Sequence, residues 1–475
     1  MKSRGPFQFV AAFFLMLLVL RAGSVFGADT LNWNTNNNRV TADITSVPLL
    51  RLLEGVSQLT GWQVYVESNA TRNVSVKFKN LPAGEALRNL LGNLNFALVP
   101  QTNSRSRLYV FQSSQRNATL LVRPGSLDGK TGSTNRIPDE LVVTLKRGVK
   151  PEQVPCLQNA RILGQITGMN TYRVKFQDEA ATLSARECLS SDPNVESIDS
   201  NFSVDRPEPS QLLDAAAASN IKLDLKKPTG DCDPIIAILD TSGMNAVPEN
   251  LKNFLMPAIS VVQQHGSSQS AVTPRAVNTT PELTHGYAML MTAFQGIQST
   301  ATGGASSARI LPVDVYGNNA TTTTFDVAQG VYQAVNSGAN IVNMSLGGSG
   351  DSSFLHNLIQ QASADGVVFF GAAGNEPVTT PTYPAAYSEV IAVTAGDRNG
   401  DLASYANRGS FVDLMTPGSS VVPFNGQSYL VNGTSASTAY ASGIAAGLAG
   451  NSGDCPPGVI ATMRSKLGVN LGGNK

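Results

Sequence analysis

The C-terminal half of the sequence predicts an α/β domain built on a parallel sheet, and the N-terminal half predicts two small α+β domains ahead of it. Short, largely apolar runs at 235–239, 310–315, 341–344, 367–371 and 390–393 read as strands, and helical patterns such as 325–336 and 354–364 stand between them. Strands apolar on both faces need helices on both sides, which gives three layers with the chemistry at the strands' carboxyl ends. The length, 475 residues, accommodates two to four such domains, since single cores rarely grow beyond about 250 to 300 residues.

Lys2 and Arg4, an apolar run at 10–20 and the small residue Gly27 read as an export signal over 1–27. The run is too short for the roughly 20 residues of a membrane-spanning helix, and Arg21 ends it. Residues 28–112 form the first α+β domain. A strand from Val40 leads to a helix with Leu49, Leu52, Leu53, Val56 and Leu59 on one face. Strands at 62–67 and 74–79 follow, then a helix carrying Leu87, Leu90, Leu91 and Leu94, and a final strand pair.

Residues 113–136, rich in Ser, Gly, Asn and Thr, read as a linker. Over 137–206 the pattern is βαββαβ, with strands at 141–145, 161–166, 172–176 and 195–204 and helices at 151–159 and 178–191, the second capped by Asp178. That order predicts a ferredoxin-like fold. Pro207 and Pro209 stop the last strand, and a weakly helical, Ala-rich stretch at 211–225 lies in a second linker, 207–232, before the domain at 233–475.

Four features of that domain point to one chemistry. Asp240 ends an apolar strand, His285-Gly286 opens a helix, Gly374-Asn375 follows a strand, and Gly433-Thr434-Ser435 opens a helix of small residues. A serine hydroxyl is a weak nucleophile at neutral pH unless a base takes its proton, and a neutral imidazole suits that task. Of the three histidines, His265 runs into Ser-Ser-Gln-Ser and His356 sits inside a helical pattern, so His285 is the candidate base. Asp240 would orient the imidazole. Asn375 would donate its side-chain amide to the oxyanion, together with the Ser435 N–H.

Asp, His, Asn and Ser in this order, with Asn343-Met-Ser-Leu-Gly-Gly348, Gly371-Ala-Ala-Gly-Asn-Glu376, Tyr383-Pro-Ala-Ala-Tyr387, Met415-Thr-Pro-Gly418 and Asn432-Gly-Thr-Ser435, resemble the subtilisin-like serine peptidases. The resemblance covers roughly 234–467. It implies a subtilisin-like three-layer fold, a catalytic triad of Asp240, His285 and Ser435, and a polypeptide substrate bound as an added strand along Ser345, Leu346 and Gly347. Residues 137–206 resemble the inhibitory prodomains of these enzymes, which implies that the chain's own prodomain is an intramolecular inhibitor. Its tail should lie on the 345–347 edge and be cut within 203–225. Residues 28–112 resemble the short N-terminal domain of secretins and TonB-dependent transducers, which implies an envelope protein as partner.

Four cysteines allow three pairings. Cys156 and Cys188 fall in one candidate domain, and Cys232 and Cys455 bracket the next, so pairing within domains is expected; free buried thiols are the alternative. A formal net charge of zero without a Lys/Arg block argues against nucleic acid and anionic membrane surfaces as partners. No cofactor is expected, and no acidic loop is dense enough in ligands to assign calcium, though the family often binds it.

Three departures stand beside the triad. Gly243 comes one residue later than usual, Tyr287-Ala288-Met289 replaces Thr-x-Val, and Ala436-Ser437-Thr438-Ala439 lacks the usual proline. They keep a second reading open, an inactive subtilase-like binding protein of the envelope. The first reading is a secreted or periplasmic serine endopeptidase that processes itself.

Overall fold

The computed structural model describes residues 30–35, 37–67, 72–100, 106–115, 118–122, 135–207, 211–213, 221–227, 232–243, 247–262, 283–469 and 471. The export signal read at 1–27, and His265, lie outside them. The chain divides into two compact units, 1–130 and 131–475.

The first unit runs β1 (Thr30–Asn34), β2 (Arg39–Pro48), α1 (Leu49–Thr60), β3 (Gln63–Glu67), β4 (Asn73–Pro82), α2 (Ala83–Leu91), β5 (Asn95–Val99), β6 (Arg107–Phe111) and β7 (Ala118–Val122). One sheet has the order β1-β2-β4 and the other β5-β6-β3-β7. Leu49, Leu52, Leu53 and Val56 of α1 and Leu87, Leu90 and Leu91 of α2 bury their apolar faces in a common core with Trp33, Val64 and Leu108. The sequence reading put a linker at 113–136, but β7 lies inside it and pairs antiparallel with β3, so this unit continues past residue 112. A five-residue run flanked by Ser, Asn and Arg carries too short a pattern to announce a strand; the backbone pairing with β3 makes it one.

The second unit begins with β8 (Arg136–Leu145), β9 (Arg161–Ile166), β10 (Thr171–Lys175), α3 (Glu179–Ser190) and β11 (Val195–Asp205), in the antiparallel order β11-β8-β10-β9. Asp178 caps α3 by accepting from the Ala181 N–H at 2.8 Å. The helix expected at 151–159 is absent; two single 3₁₀ turns, Pro151–Gln153 and Pro155–Leu157, stand there instead. Pro155 has no N–H to give a helix and its ring would press on the carbonyl four residues earlier. Cys156 in the second turn is bonded to Cys188 of α3.

β11 continues onto the next domain. The connecting stretch, read as weakly helical, contributes β12 (Gln211–Leu213) and β13 (Asp224–Leu225). The domain itself comprises β14 (Ile235–Asp240), α4 (Glu249–Lys252), β15 (Ile259–Ser260), α5 (His285–Thr300), β16 (Ala305–Ser306), β17 (Arg309–Asp314), β18 (Thr321–Thr323), α6 (Thr324–Asn336), β19 (Ile341–Met344), α7 (Ser353–Ala364), β20 (Val368–Ala372), β21 (Val390–Gly396), β22 (Leu414–Pro417), β23 (Ser419–Phe424), β24 (Gln427–Asn432), α8 (Thr434–Ser452) and α9 (Pro456–Leu467). Its main sheet is parallel, in the order β15-β17-β14-β19-β20-β21-β22.

Strand alternation divides this sheet's side chains between two cores. Ile236 and Ile238 of β14 face α5 and α8, and Ala237 and Leu239 face α6 and α7. Both faces are covered, which is why these strands read as largely apolar runs. Cys232 is bonded to Cys455, joining the start of the domain to the segment before α9. Among the described residues no helix is long and apolar enough to cross a membrane.

Candidate active site

Asp240 is the last residue of β14, near the middle of the sheet, and is fully buried. One carboxylate oxygen accepts from the Thr241 N–H at 2.7 Å, and both oxygens lie 2.9 Å from His285 Nδ1. With Nδ1 donating to the carboxylate, the imidazole holds the tautomer whose Nε2 can accept a proton. His285 opens α5, and Thr284 caps that helix by accepting from the Tyr287 N–H at 3.2 Å.

The departures near this pair have structural roles. Thr241 Oγ1 accepts from the Gly286 N–H at 2.9 Å, and a Cβ on Gly286 would lie 1.9 Å from the Thr241 carbonyl oxygen. Gly243, the delayed glycine, lies where a Cβ would come within 2.2 Å of the capping Thr284 hydroxyl. Tyr287 donates its hydroxyl to the Pro423 carbonyl at 2.6 Å and meets Phe424 edge-on, so it anchors β23 to α5. Burial pushes the Tyr287 hydroxyl up to about 12, so it stays a proton donor to that carbonyl at neutral pH.

Ser435 arrives from a helix that packs parallel to α5. Close contact is possible because small residues face each other: a Cβ on Gly443 would lie 2.2 Å from the Ala293 carbonyl oxygen, and one on Gly447 would lie 2.9 Å from that of Ile297. His285 and Ser435 each stand eight residues before the first of these contacts, at the same end of the helix pair. The stripe of Ala, Ser and Gly along α8 therefore fixes where Ser435 stands relative to His285. Ser435 is half-buried and its hydroxyl donates to the Ser345 carbonyl at 3.1 Å; among the described residues it makes no hydrogen bond to His285.

Asn375 sits in the turn after β20. Its Oδ1 accepts from the Thr434 N–H at 2.9 Å and from the Thr434 hydroxyl at 3.1 Å, so the donors of its NH₂ group are not used by Thr434. Gly433, at φ 139°, packs so closely on this amide that a Cβ would meet Asn375 Nδ2 at 3.1 Å. The Ser435 N–H belongs to the first turn of α8, whose amides the helix itself does not satisfy.

Of the expected substrate strand, Ser345 and Leu346 are buried. Ser345 Oγ donates to the Ser435 carbonyl at 2.9 Å and accepts from Asn343 Nδ2 at 3.0 Å, which ties the end of β19 to the start of α8. A Cβ on Gly347 would lie 2.9 Å from Thr382 Cγ2. The sequence reading expected the chain's own tail to pair with 345–347, and among the described residues it does not. β11 pairs antiparallel with β18 instead, with Ser203 opposite Thr323 and Asp205 opposite Thr321, and the Arg206 N–H donates to the Ala320 carbonyl at 2.9 Å. Gly348 has exchanged both its backbone groups with Tyr383, and the Ser203 carbonyl faces it without bonding.

Residues that the sequence left unassigned hold 135–207 in place. Asp199 Oδ2 accepts from the Ser352 hydroxyl at 2.8 Å and the Phe354 N–H at 2.9 Å, at the start of α7. Asn201 Oδ1 accepts from the Thr324 hydroxyl and the Phe325 N–H at the start of α6. Arg173 bridges Glu140 and Asp326. Tyr316 donates to the Asp205 carbonyl at 3.0 Å; burial first, with the charges of Asp240 and Asp205 behind it, holds that phenol far above the ordinary range.

Residues 231–457 match the model of the subtilase family. Thermitase of Thermoactinomyces vulgaris is 39% identical over 150 residues, which is 31% of this chain and 53% of that protein. Thermostable alkaline protease of Halalkalibacterium halodurans is 38% identical over 146 residues, 30% of this chain and 40% of that protein. The chain thus spans about half or less of the curated relatives it matches. The fold is similar to that of the epidermin leader peptide processing serine protease of Staphylococcus aureus, with a TM-score of 0.51, 16% identity, and coverage of 68% of this chain and 92% of that one.

Proposed function

We propose that this chain, whose residues 231–457 carry a subtilase-family domain, is an exported serine endopeptidase that processes itself. The observation that carries the reading is the buried Asp240–His285 pair standing at the same end of the α5–α8 pair as Ser435. In the reaction the Ser435 hydroxyl turns from the Ser345 carbonyl to His285 Nε2, which takes its proton as Oγ attacks the peptide carbonyl carbon. The oxyanion accepts from Asn375 Nδ2 and the Ser435 N–H, and such a side-chain donor contributes roughly 3 to 4 kcal/mol. Collapse breaks the C–N bond, His285 returns the proton to the leaving amine, and water then hydrolyses the acyl-enzyme by the same relay.

Residues 135–207 act in this reading as the inhibitor that fills the cleft of the uncut chain. The backbone at 203–206 is bound along β18, and β12, four residues on, is bound along β24, the strand that leads through Gly433 to Ser435. The first cut is expected within 203–225, away from Pro207 and Pro209, which have no N–H to donate in strand addition. Residues 30–122 would serve as a module for an envelope partner, in a secreted or periplasmic enzyme.

The purified wild-type chain should yield two fragments whose new ends map within 203–225, and Ser435→Ala should stay whole. A fluorophosphonate should label the mature wild type at Ser435, and His285→Ala far more slowly. A mature domain that takes up no label is the binding protein of the alternative reading.

A further inference from the structure

Asn375 is carried by an irregular turn, 373–382, in which Gly374 adopts φ 110°. A turn of this kind has no strand ladder to set its height above the sheet, so its backbone groups are held by neighbouring loop backbone and by side chains. One buried side chain holds several of them. Asn407, in the loop between β21 and β22 and 2% exposed, donates from Nδ2 to the Ala373 carbonyl at 2.8 Å and to the Thr382 hydroxyl at 3.2 Å. Its Oδ1 accepts from the Glu376 N–H at 2.8 Å. Its backbone N–H donates to the Gly374 carbonyl at 2.9 Å, and its own carbonyl accepts from the Thr394 hydroxyl of β21 at 2.7 Å.

These bonds fall on the residues immediately before and after Asn375 and on the far arm of the turn. A Cβ on Gly374 would lie 2.5 Å from Asn407 Nδ2, so the glycine lets the two come together. Thr434 then fixes the remaining freedom, the rotation of the Asn375 amide.

We propose that Asn407 is the positioning residue of the oxyanion donor: it sets the backbone that carries Asn375, and acts on the reaction only through Asn375. This rests on the endopeptidase reading above. A group that works only on the oxyanion changes the chemical step and leaves ground-state binding alone. It also has no further effect once the donor is gone.

The test is a double-mutant cycle on a peptide p-nitroanilide, with each chain matured by the same immobilised exogenous protease, later removed. Asn375→Ala lowers kcat by about 100-fold or more. Asn407→Ser is expected to lower kcat by about 10-fold with KM within about twofold, and to cost less than about twofold when added to Asn375→Ala. An equal loss in both backgrounds, an effect on KM alone, or an unchanged kcat overturns the proposal. If Asn407→Ser shows no cooperative melt, Thr382→Val removes one of its acceptors at a half-exposed site. Its smaller loss of kcat must also vanish in the Asn375→Ala background, and a loss that persists there overturns the proposal. A wild type that hydrolyses nothing is a separate outcome, the failure of the endopeptidase reading itself.

Discussion

Residues 30–122 and 135–207 are two small α+β structures of similar size that complete their cores in different ways. The first closes on itself: two sheets and two helices share one core that includes both tryptophans. The second has a single sheet with α3 on one face, where Leu141, Val143, Leu145, Val174 and Leu189 form a smaller core. Its other face is finished by the domain at 233–475, for Val142, Ile166 and Val204 belong to the core of α6 and α7. Gly164 and Gly168 mark how close that approach is, since added Cβ atoms would meet Phe325 at 2.9 Å and the Tyr332 hydroxyl at 1.7 Å. A domain whose second face is borrowed can be stable while attached and weak once released, which is the behaviour a removable inhibitor needs.

Separate expression breaks the comparison most severely. Residues 30–122 should melt cooperatively by themselves, and 135–207 should show a weak or absent transition that the enzyme domain restores; equal melting of the two pieces would refute the contrast. Reduction sharpens it next, because all four cysteines lie in the second unit. In the chain-entropy model the Cys232–Cys455 bridge, spanning 223 residues, contributes about 5 kcal/mol and Cys156–Cys188, spanning 32, about 4 kcal/mol. Dithiothreitol should therefore lower the transition of 131–475 in calorimetry and leave that of the first unit in place.

The helix caps supplied from β11 come third. Asp199→Ala removes the acceptor at the start of α7, at about 1 kcal/mol for a lost cap. The cleaved fragment should leave the enzyme about fivefold faster in an inhibition-release assay; an unchanged rate would show that the apolar face alone holds it. The smallest effect concerns Glu389, paired with His356 of α7 at 2.8 Å. Burial alone would raise this carboxyl, yet hydrogen bonds from His356 and Ser388 hold it below the usual carboxylate range. Its contribution is present above the unfolded carboxylate pKa and disappears as pH falls through the lower folded value. Glu389→Gln should lower the melting temperature slightly at neutral pH and not at all in strong acid.

Sequence alone determined the pieces that local chemistry dictates. An apolar run ended by an acid gave β14 and Asp240, the Thr284-His285-Gly286 start gave α5, and a helix of small residues after Gly433 gave α8, because strand period, cap and helix start are written in adjacent residues. Domain placement was enough to pair Cys156 with Cys188 and Cys232 with Cys455. Where long-range pairing competes with local pattern the sequence misled: 151–159 looked helical but for Pro155, β7 looked like linker, and the tail was assigned to 345–347 when β18 offered the free edge. Only the tertiary structure decided that edge, the placing of His285 and Ser435 at the same end of α5 and α8 by close glycine contacts, and the bonds of Asn407. An asparagine in a Ser-Tyr-Ala-Asn-Arg-Gly stretch reads as an ordinary turn residue, since nothing in its neighbours records that its hydrogen bonds go to a loop some thirty positions earlier in the chain.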